Sequence, residues 1–403
     1  MFSMIFFPSI SFNLVAAEIF PYAIFLYIYY TFKYRKVNVN HFCLFVFFTL
    51  LALLQNLFFD INESQAIRSY FAYLNAMFSF FLCALFLNQG DNFNKAESLV
   101  KNIFYFFILI ALLQYFNLID FLEPLFDLLK SRGEASGTIG ERGVSIFSTE
   151  PSRAAFEMVL LYSIVRVTIE YKLPQKTLLF DIAFISFLLF VIKSMTGVVI
   201  FLLLLAFMSL KLRKVILPLV VIVSLCFFGY FFRTELLSYL DESNNRTLLL
   251  ISKILLSGDL FEVLIPASGF RFVSVVSSYS YAFTSFFGGG VGNWPYSSIE
   301  ALSYINAEQF EIPYFYYTCG DYICPVRPTS IFANIALDFG VLGILFIIFL
   351  IYYFGKNIHF KYLPVFYYLL FCFFFNSAVG HPLPWFVLSY IVALSKREIK
   401  SGY

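Results

Sequence analysis

Long apolar stretches separated by short polar connections run along most of the chain, a pattern that predicts helices crossing a bilayer. A crossing needs about 20 mostly apolar residues. Such runs fall at 14 to 32, 42 to 59, 68 to 88, 98 to 119, 154 to 171, 177 to 193, 196 to 210, 214 to 232, 328 to 354, 362 to 379 and 382 to 395. The expectation is therefore an all-α polytopic membrane protein with eleven spans, within a range of ten to twelve. A single helix over residues 178–210 would be about 50 Å long, well beyond a hydrocarbon core of ~30 Å, so a sharp turn is expected between Lys193 and Gly197. Two polar stretches break the pattern, 120–153 and 233–327. The second, the longest, is expected to be a large, partly helical loop in water beside the bilayer.

Composition supports this reading. Of 403 residues, 61% are hydrophobic and 13% charged, against roughly 25% charged in soluble domains. Mean hydropathy is +0.82. The 57 Phe and 28 Tyr read as lipid-facing bulk and interfacial rings rather than as a cofactor box. Net charge is +2 without basic clusters, so no nucleic-acid partner is expected. The first residues lack the basic region of a cleavable signal peptide, and the first span is expected to be retained. Cys43, Cys83, Cys226 and Cys372 lie in apolar runs and read as small hydrophobes. Cys319 and Cys324 lie in the polar loop, where a disulfide forms only if that loop faces an oxidising compartment.

Basic residues orient the spans. Alternate connections carry Lys33, Arg35 and Lys36; Lys95 and Lys101; Lys172 and Lys176; Lys211, Arg213 and Lys214; Lys356 and Lys361; and Lys396, Arg397 and Lys400. Cytoplasmic loops collect Lys and Arg, which puts the C-terminus inside and both polar loops outside. The kinds also sort: eight of the twelve Arg are outward (Arg68, Arg132, Arg142, Arg153, Arg233, Arg246, Arg271, Arg327), whereas twelve of fifteen Lys are inward. Arginine holds phosphate and carboxylate bidentately and stays charged in any setting. An outward anionic ligand is one reading; headgroup contacts and local salt bridges are the other.

The first loop runs SRGEASGTIGERGVSIFSTEPSR. Its glycines allow it to wrap a ligand, and Pro151 suits the first turn of the helix that follows. Glu150, at that helix start, reads either as a cap or as a general base or sugar ligand. In the large loop, SGFRFVSVVSSYSYAFTSFF predicts an amphipathic helix bearing Arg271, followed by GGGVGNWPY. A dinucleotide fingerprint needs a strand before its glycines and a helix after them, so nucleotide binding is rejected. Gly288 to Gly292 read as a tight turn back toward the membrane surface, with Trp294 as an interfacial anchor.

Together, GERGVSIFSTEPSRAAF, SMTGVVIFLL, Arg271 leading to FFGGGVGN, and RPTSIFANIALDFGVLG resemble the O-antigen polymerase (Wzy-type) family, within the O-antigen ligase and polymerase superfamily of bacterial membrane glycosyltransferases. The resemblance extends over most of the chain by topology and implies a GT-C-like architecture in the bacterial inner membrane, with its active site facing the periplasm. It implies transfer of a growing glycan from its lipid pyrophosphate onto a lipid-linked repeat unit. Its partners are then undecaprenyl-pyrophosphate-linked oligosaccharides as donor and acceptor, membrane lipid and a chain-length regulator, with no cofactor or metal. Glu150, Arg271 and Arg327 are the catalytic candidates, and Arg142, Arg153, Lys193, Arg246, Gly290 and His381 the substrate-binding ones. The related ligases carry a histidine before their acidic-x-Gly-x-x-Gly pattern, where this chain has VRPTS and then LDFGVLG. The lack of a histidine there ranks polymerase above lipid A core O-antigen ligase. A polysaccharide-repeat flippase ranks third, because no internal repeat is present. His381, at the outer end of the tenth span beside two prolines, is open to a structural or a chemical role.

Ionisable residues within spans are costly and are usually paired or functional. Glu157 lies four residues after Arg153, the spacing of an intrahelical pair. Arg166 and Asp181 sit close enough to the cytoplasmic ends to reach water, and Lys193 either snorkels or holds the lipid phosphate. Asp338, about two turns into the ninth span, has no account in the sequence.

Overall fold

The computed structural model describes residues 22–34, 39–58, 63–89, 92–119, 143–148, 150–172, 176–209 and 270–401. Among them all regular structure is helical: α1 (Tyr22–Tyr34), α2 (Val39–Phe58), α3 (Glu63–Leu87), α4 (Asn92–Tyr115), α5 (Pro151–Lys172), α6 (Thr177–Phe187), α7 (Met195–Ser209), α8 (Phe270–Ala282), α9 (Trp294–Tyr304), α10 (Pro313–Cys319), α11 (Ile331–Gly355), α12 (Leu363–Phe375) and α13 (Pro382–Ser401). Helices stand where ten of the eleven spans were expected; the other, 214 to 232, lies outside the described residues. Three are long and apolar enough to cross a membrane, over Ser64–Leu87, Asn92–Tyr115 and Ile331–Gly355. Phe32, Phe42, Leu50 and Leu53 point outward from α1 and α2, as they would where the surroundings are hydrocarbon.

The chain divides into two compact units. In the first, α5 packs on α4 and α7. A Cβ at Gly197 would collide with that of Ala155, so glycine is what lets α5 and α7 approach. The turn expected between Lys193 and Gly197 is present: a π-helical turn over Leu188–Ile192 ends at Lys193, whose φ of 53° is left-handed, and α7 begins two residues later. Residues 143–148 are held by backbone pairing of Val144 N–H with the Val191 carbonyl and by Gln114, whose amide grips both the N–H and the C=O of Ile146.

Two charges in this unit differ from expectation. Arg166 and Asp181 do not end in water; Arg166 Nε donates to Asp181 Oδ1 at 2.8 Å and Tyr162 donates to the same oxygen at 2.6 Å. With the Tyr162 ring stacked on Phe184 at 4.2 Å, pairing is less costly than leaving either charge beside apolar rings. Glu157 accepts from Ser148 Oγ at 2.6 Å, a partner in the loop that precedes α5.

In the second unit α13 packs along α3, and α8 packs against both α9 and α11. The central feature is a break in α11 at Gly340, which has φ 59° and ψ −137°. In an unbroken helix the carbonyls of Leu337 and Asp338 would accept from the N–H groups of Val341 and Leu342. Here Gly289 and Gly290 N–H donate to those carbonyls at 2.9 and 3.0 Å. Val341 and Leu342 N–H turn to the carbonyls of Ser285 and Phe286 at 3.1 and 3.3 Å. Part of the stretch 233–327, expected as a loop in water, is thus packed into the protein. Gly288 to Gly292 are buried against an apolar helix, because the break must have its backbone groups satisfied where water is excluded. Trp294, expected at an interface, packs on the cluster of Tyr281, Ala301 and Leu337.

Gly340→Ala is expected to destabilise the protein by at least about 3 kcal/mol, because its ψ suits glycine alone and a Cβ would strike the Ser285 carbonyl. Gly320→Ala, where a Cβ meets open space at φ 71°, should cost only about 1–2 kcal/mol. Thermal unfolding of the two variants in detergent measures the contrast.

Candidate functional site

Around the break, polar side chains gather in an apolar setting. Asp338 is only 2% exposed, and the Tyr73 hydroxyl of α3 donates to its Oδ2 at 2.7 Å. Phe48, Tyr73 and Phe339 form an edge-on aromatic trio, with ring centroids 5.4 to 6.0 Å apart, that shields this pair. Gln55 of α2 adds a second brace: its Nε2 donates to the carbonyls of Phe287 and Asp338, both at 2.7 Å. One amide thus ties the glycine-rich strap to the broken helix.

One turn before Asp338, Asn334 accepts from Arg327 Nε at 3.0 Å and donates to the carbonyls of Pro328 and Ser330, both at 2.6 Å. Ser330 caps α11 by accepting from Ala333 N–H and donates to the Phe373 carbonyl. The approach to α11 is therefore fixed on three sides, and the Arg327 guanidinium with it. Its charge acts through space on both Asp338 and Tyr73. Arg327 Nη2 is buried without a hydrogen-bond partner among the described residues, as are Gln55 Oε1 and Thr329 Oγ1. A buried guanidinium nitrogen left unpaired is costly, and in this place it is a donor ready for an anion. Tyr73 also lines a small apolar recess of about 50 Å³ with Phe48, Ile335, Phe346 and Trp385.

Arg271 lies in the first turn of α8, and its neighbours Phe270 and Val273 join Val326, the neighbour of Arg327, in one small apolar cluster with Leu302, Ile312 and Phe315. Both arginines thus flank the same core. Gly290, expected to touch substrate, has given its N–H to the Asp338 carbonyl. His381 is buried at the start of α13, its N–H on the Ala378 carbonyl. On α8, burial and then the Glu300 carboxylate push the Tyr281 hydroxyl up to about 12; it stays protonated and donates to Glu300 at 3.0 Å.

Glu150, Arg153 and Lys193 belong to the first unit. Glu150 stands immediately before α5, and its carbonyl accepts from the N–H groups of Arg153 and Ala154, the position of a helix start. Arg142 and Arg246 lie outside the described residues. Among the described residues no group of three or more His, Cys, Asp or Glu could hold a metal. Tyr73, Gln55 and Asn334 were not foreseen. Their signal was present as polar residues inside apolar runs, but a search restricted to ionisable groups passes over it.

Tyr73→Phe and Asp338→Asn should each destabilise the fold and should not add. A double-mutant cycle on unfolding free energy is expected to give a coupling of about 1.5–3 kcal/mol, the range for a hydrogen bond to a charged group; additivity would remove the pair from the scheme. Comparison of the chain with protein-family models, with curated proteins and with solved structures finds no match.

Proposed function

We propose that the protein is a bacterial inner-membrane glycosyltransferase that polymerises undecaprenyl-pyrophosphate-linked oligosaccharide repeat units at the periplasmic face. The observation that carries this reading is Arg327, locked through Nε on Asn334 while its buried Nη2 has no hydrogen-bond partner among the described residues. In the reaction the bond from the anomeric carbon to the pyrophosphate oxygen breaks as the acceptor hydroxyl oxygen bonds to that carbon. Negative charge grows on the departing pyrophosphate. A guanidinium fixed beforehand stabilises that charge without reorganising, and Arg271, beside the same small core, is the second candidate. In this reading eleven spans put residues 120–153 and 233–327 outside. The Cys319–Cys324 disulfide supports that orientation, because disulfides persist in oxidising compartments.

A transporter of lipid-linked glycans is the second reading, favoured by the discontinuous α11 with its buried carboxylate. It ranks lower because the four backbone groups released by the break are taken by residues 285–290, which leaves none of them for a substrate.

Deletion of the gene, followed by a gel of the cell's lipopolysaccharide, separates the classes. A polymerase loss leaves core bearing one repeat unit. A ligase loss leaves bare core with polymer stranded on its carrier, and a flippase loss leaves bare core without polymer. A ladder of unchanged length refutes all three. Arg327→Lys keeps the charge but loses the fork, so polymer made by membranes carrying it should fall about tenfold or more.

A further inference from the structure

We propose that the surface around α10, closed by the Cys319–Cys324 disulfide, is a stacking platform for uncharged sugar rings of a polysaccharide. The inference rests on the proposed function in one respect, that a glycan is present on this side of the membrane. It concerns a surface separate from the Arg327 and Asp338 cluster.

Residues 294–326 build a cap whose interior, shared with Phe270 and Val273 of α8, buries Leu302, Ile312, Phe315, Cys324 and Val326. Left-handed backbone at Asn306 (φ 52°), Glu311 (φ 44°) and Gly320 (φ 71°) bends the chain sharply around this small core. The outside of the cap is unusually aromatic: Tyr304 is 60% exposed, Tyr316 65%, Tyr317 86% and Tyr322 59%. Tyr316 and Tyr317 meet edge to face at 6.1 Å, so they present two ring faces in different directions. Tyrosine is suited to such a task, since it offers a large, rigid, amphipathic contact with only two side-chain torsions to order.

Charge decides what the rings face. Residues 272–326 contain Glu300, Glu308, Glu311 and Asp321 and not a single Lys, Arg or His. Glu308, Glu311 and Asp321 are all exposed beside the tyrosines. A surface of this sign repels anionic headgroups, which basic residues attract, and it repels phosphate. It suits a ligand rich in hydroxyl groups. Carboxylates accept hydrogen bonds from hydroxyls more strongly than neutral acceptors do, and the negative ring faces of the tyrosines attract the weakly positive C–H faces of sugars. Exposed rings beside acidic side chains therefore fit the outer face of the cap, away from Arg271 and Arg327 at its chain ends, to uncharged glycan.

The test uses the full chain in lipid nanodiscs and, as probe, the surface polysaccharide of the producing cells released by mild acid. Hydroxyl-radical footprinting reads the reactivity of Tyr316, Tyr317 and Tyr322 with and without it. We expect all three to be reactive alone and protected at least about threefold with polysaccharide. Low reactivity without polysaccharide would mean the rings lie in lipid and overturns the proposal. Equal reactivity in both conditions overturns it as well. In saturation-transfer NMR, Tyr316→Ala/Tyr317→Ala should weaken binding about tenfold or more, and Tyr316→Phe/Tyr317→Phe should retain it; loss in both pairs would refute stacking. The gel and the footprint fail independently. Protection beside an unchanged ladder refutes the polymerase and keeps the platform, whereas a collapsed ladder without protection does the reverse.

Discussion

The exchange of backbone hydrogen bonds at the α11 break is the constraint on which the second unit depends. Four peptide groups of a highly apolar helix lose their helical partners there, and no water is at hand to replace them. Residues 285–290 satisfy all four. Glycines make this contact possible, because at Gly288 and Gly340 a side chain would meet the opposing backbone. The glycine run is thus a strap that completes a helix, and Gln55 fastens the strap from a third element.

This arrangement positions the residues of the proposed site. The strap and Gln55 fix the Asp338 backbone, Tyr73 fixes its carboxylate, and Asn334 fixes Arg327 one turn nearer the helix start. A cation held this way cannot retreat from an approaching anion, and its neighbouring buried carboxylate limits how much negative charge the site tolerates at rest. Such a balance suits a ligand whose charge grows during reaction more than one that arrives and leaves unchanged.

The helices were legible because long apolar runs leave little choice of structure, and the Lys193 turn followed from length alone. Arg327 was legible as a cation at the margin of a span. The break was not: LDFGVLG reads as an uninterrupted helix, since glycine is tolerated in membrane helices. Nothing local announces that residues some fifty positions earlier will supply its missing partners. Pairing of Arg166 with Asp181 was likewise hidden, since it depends on the packing of α5 against α6. Tyr73 was invisible among 28 tyrosines, and only its contact with Asp338 sets it apart.

The strap also bears on the order in which the protein is assembled. Residues 285–290 leave the ribosome before α11 exists, and until it arrives Gly289 and Gly290 have no carbonyl to meet. Nor can α11 settle alone, for its interruption would expose peptide groups to lipid. Each segment is thus unfinished at birth and is completed only by the other. Their burial is then a joint, late event of biogenesis, in which insertion and folding become a single step.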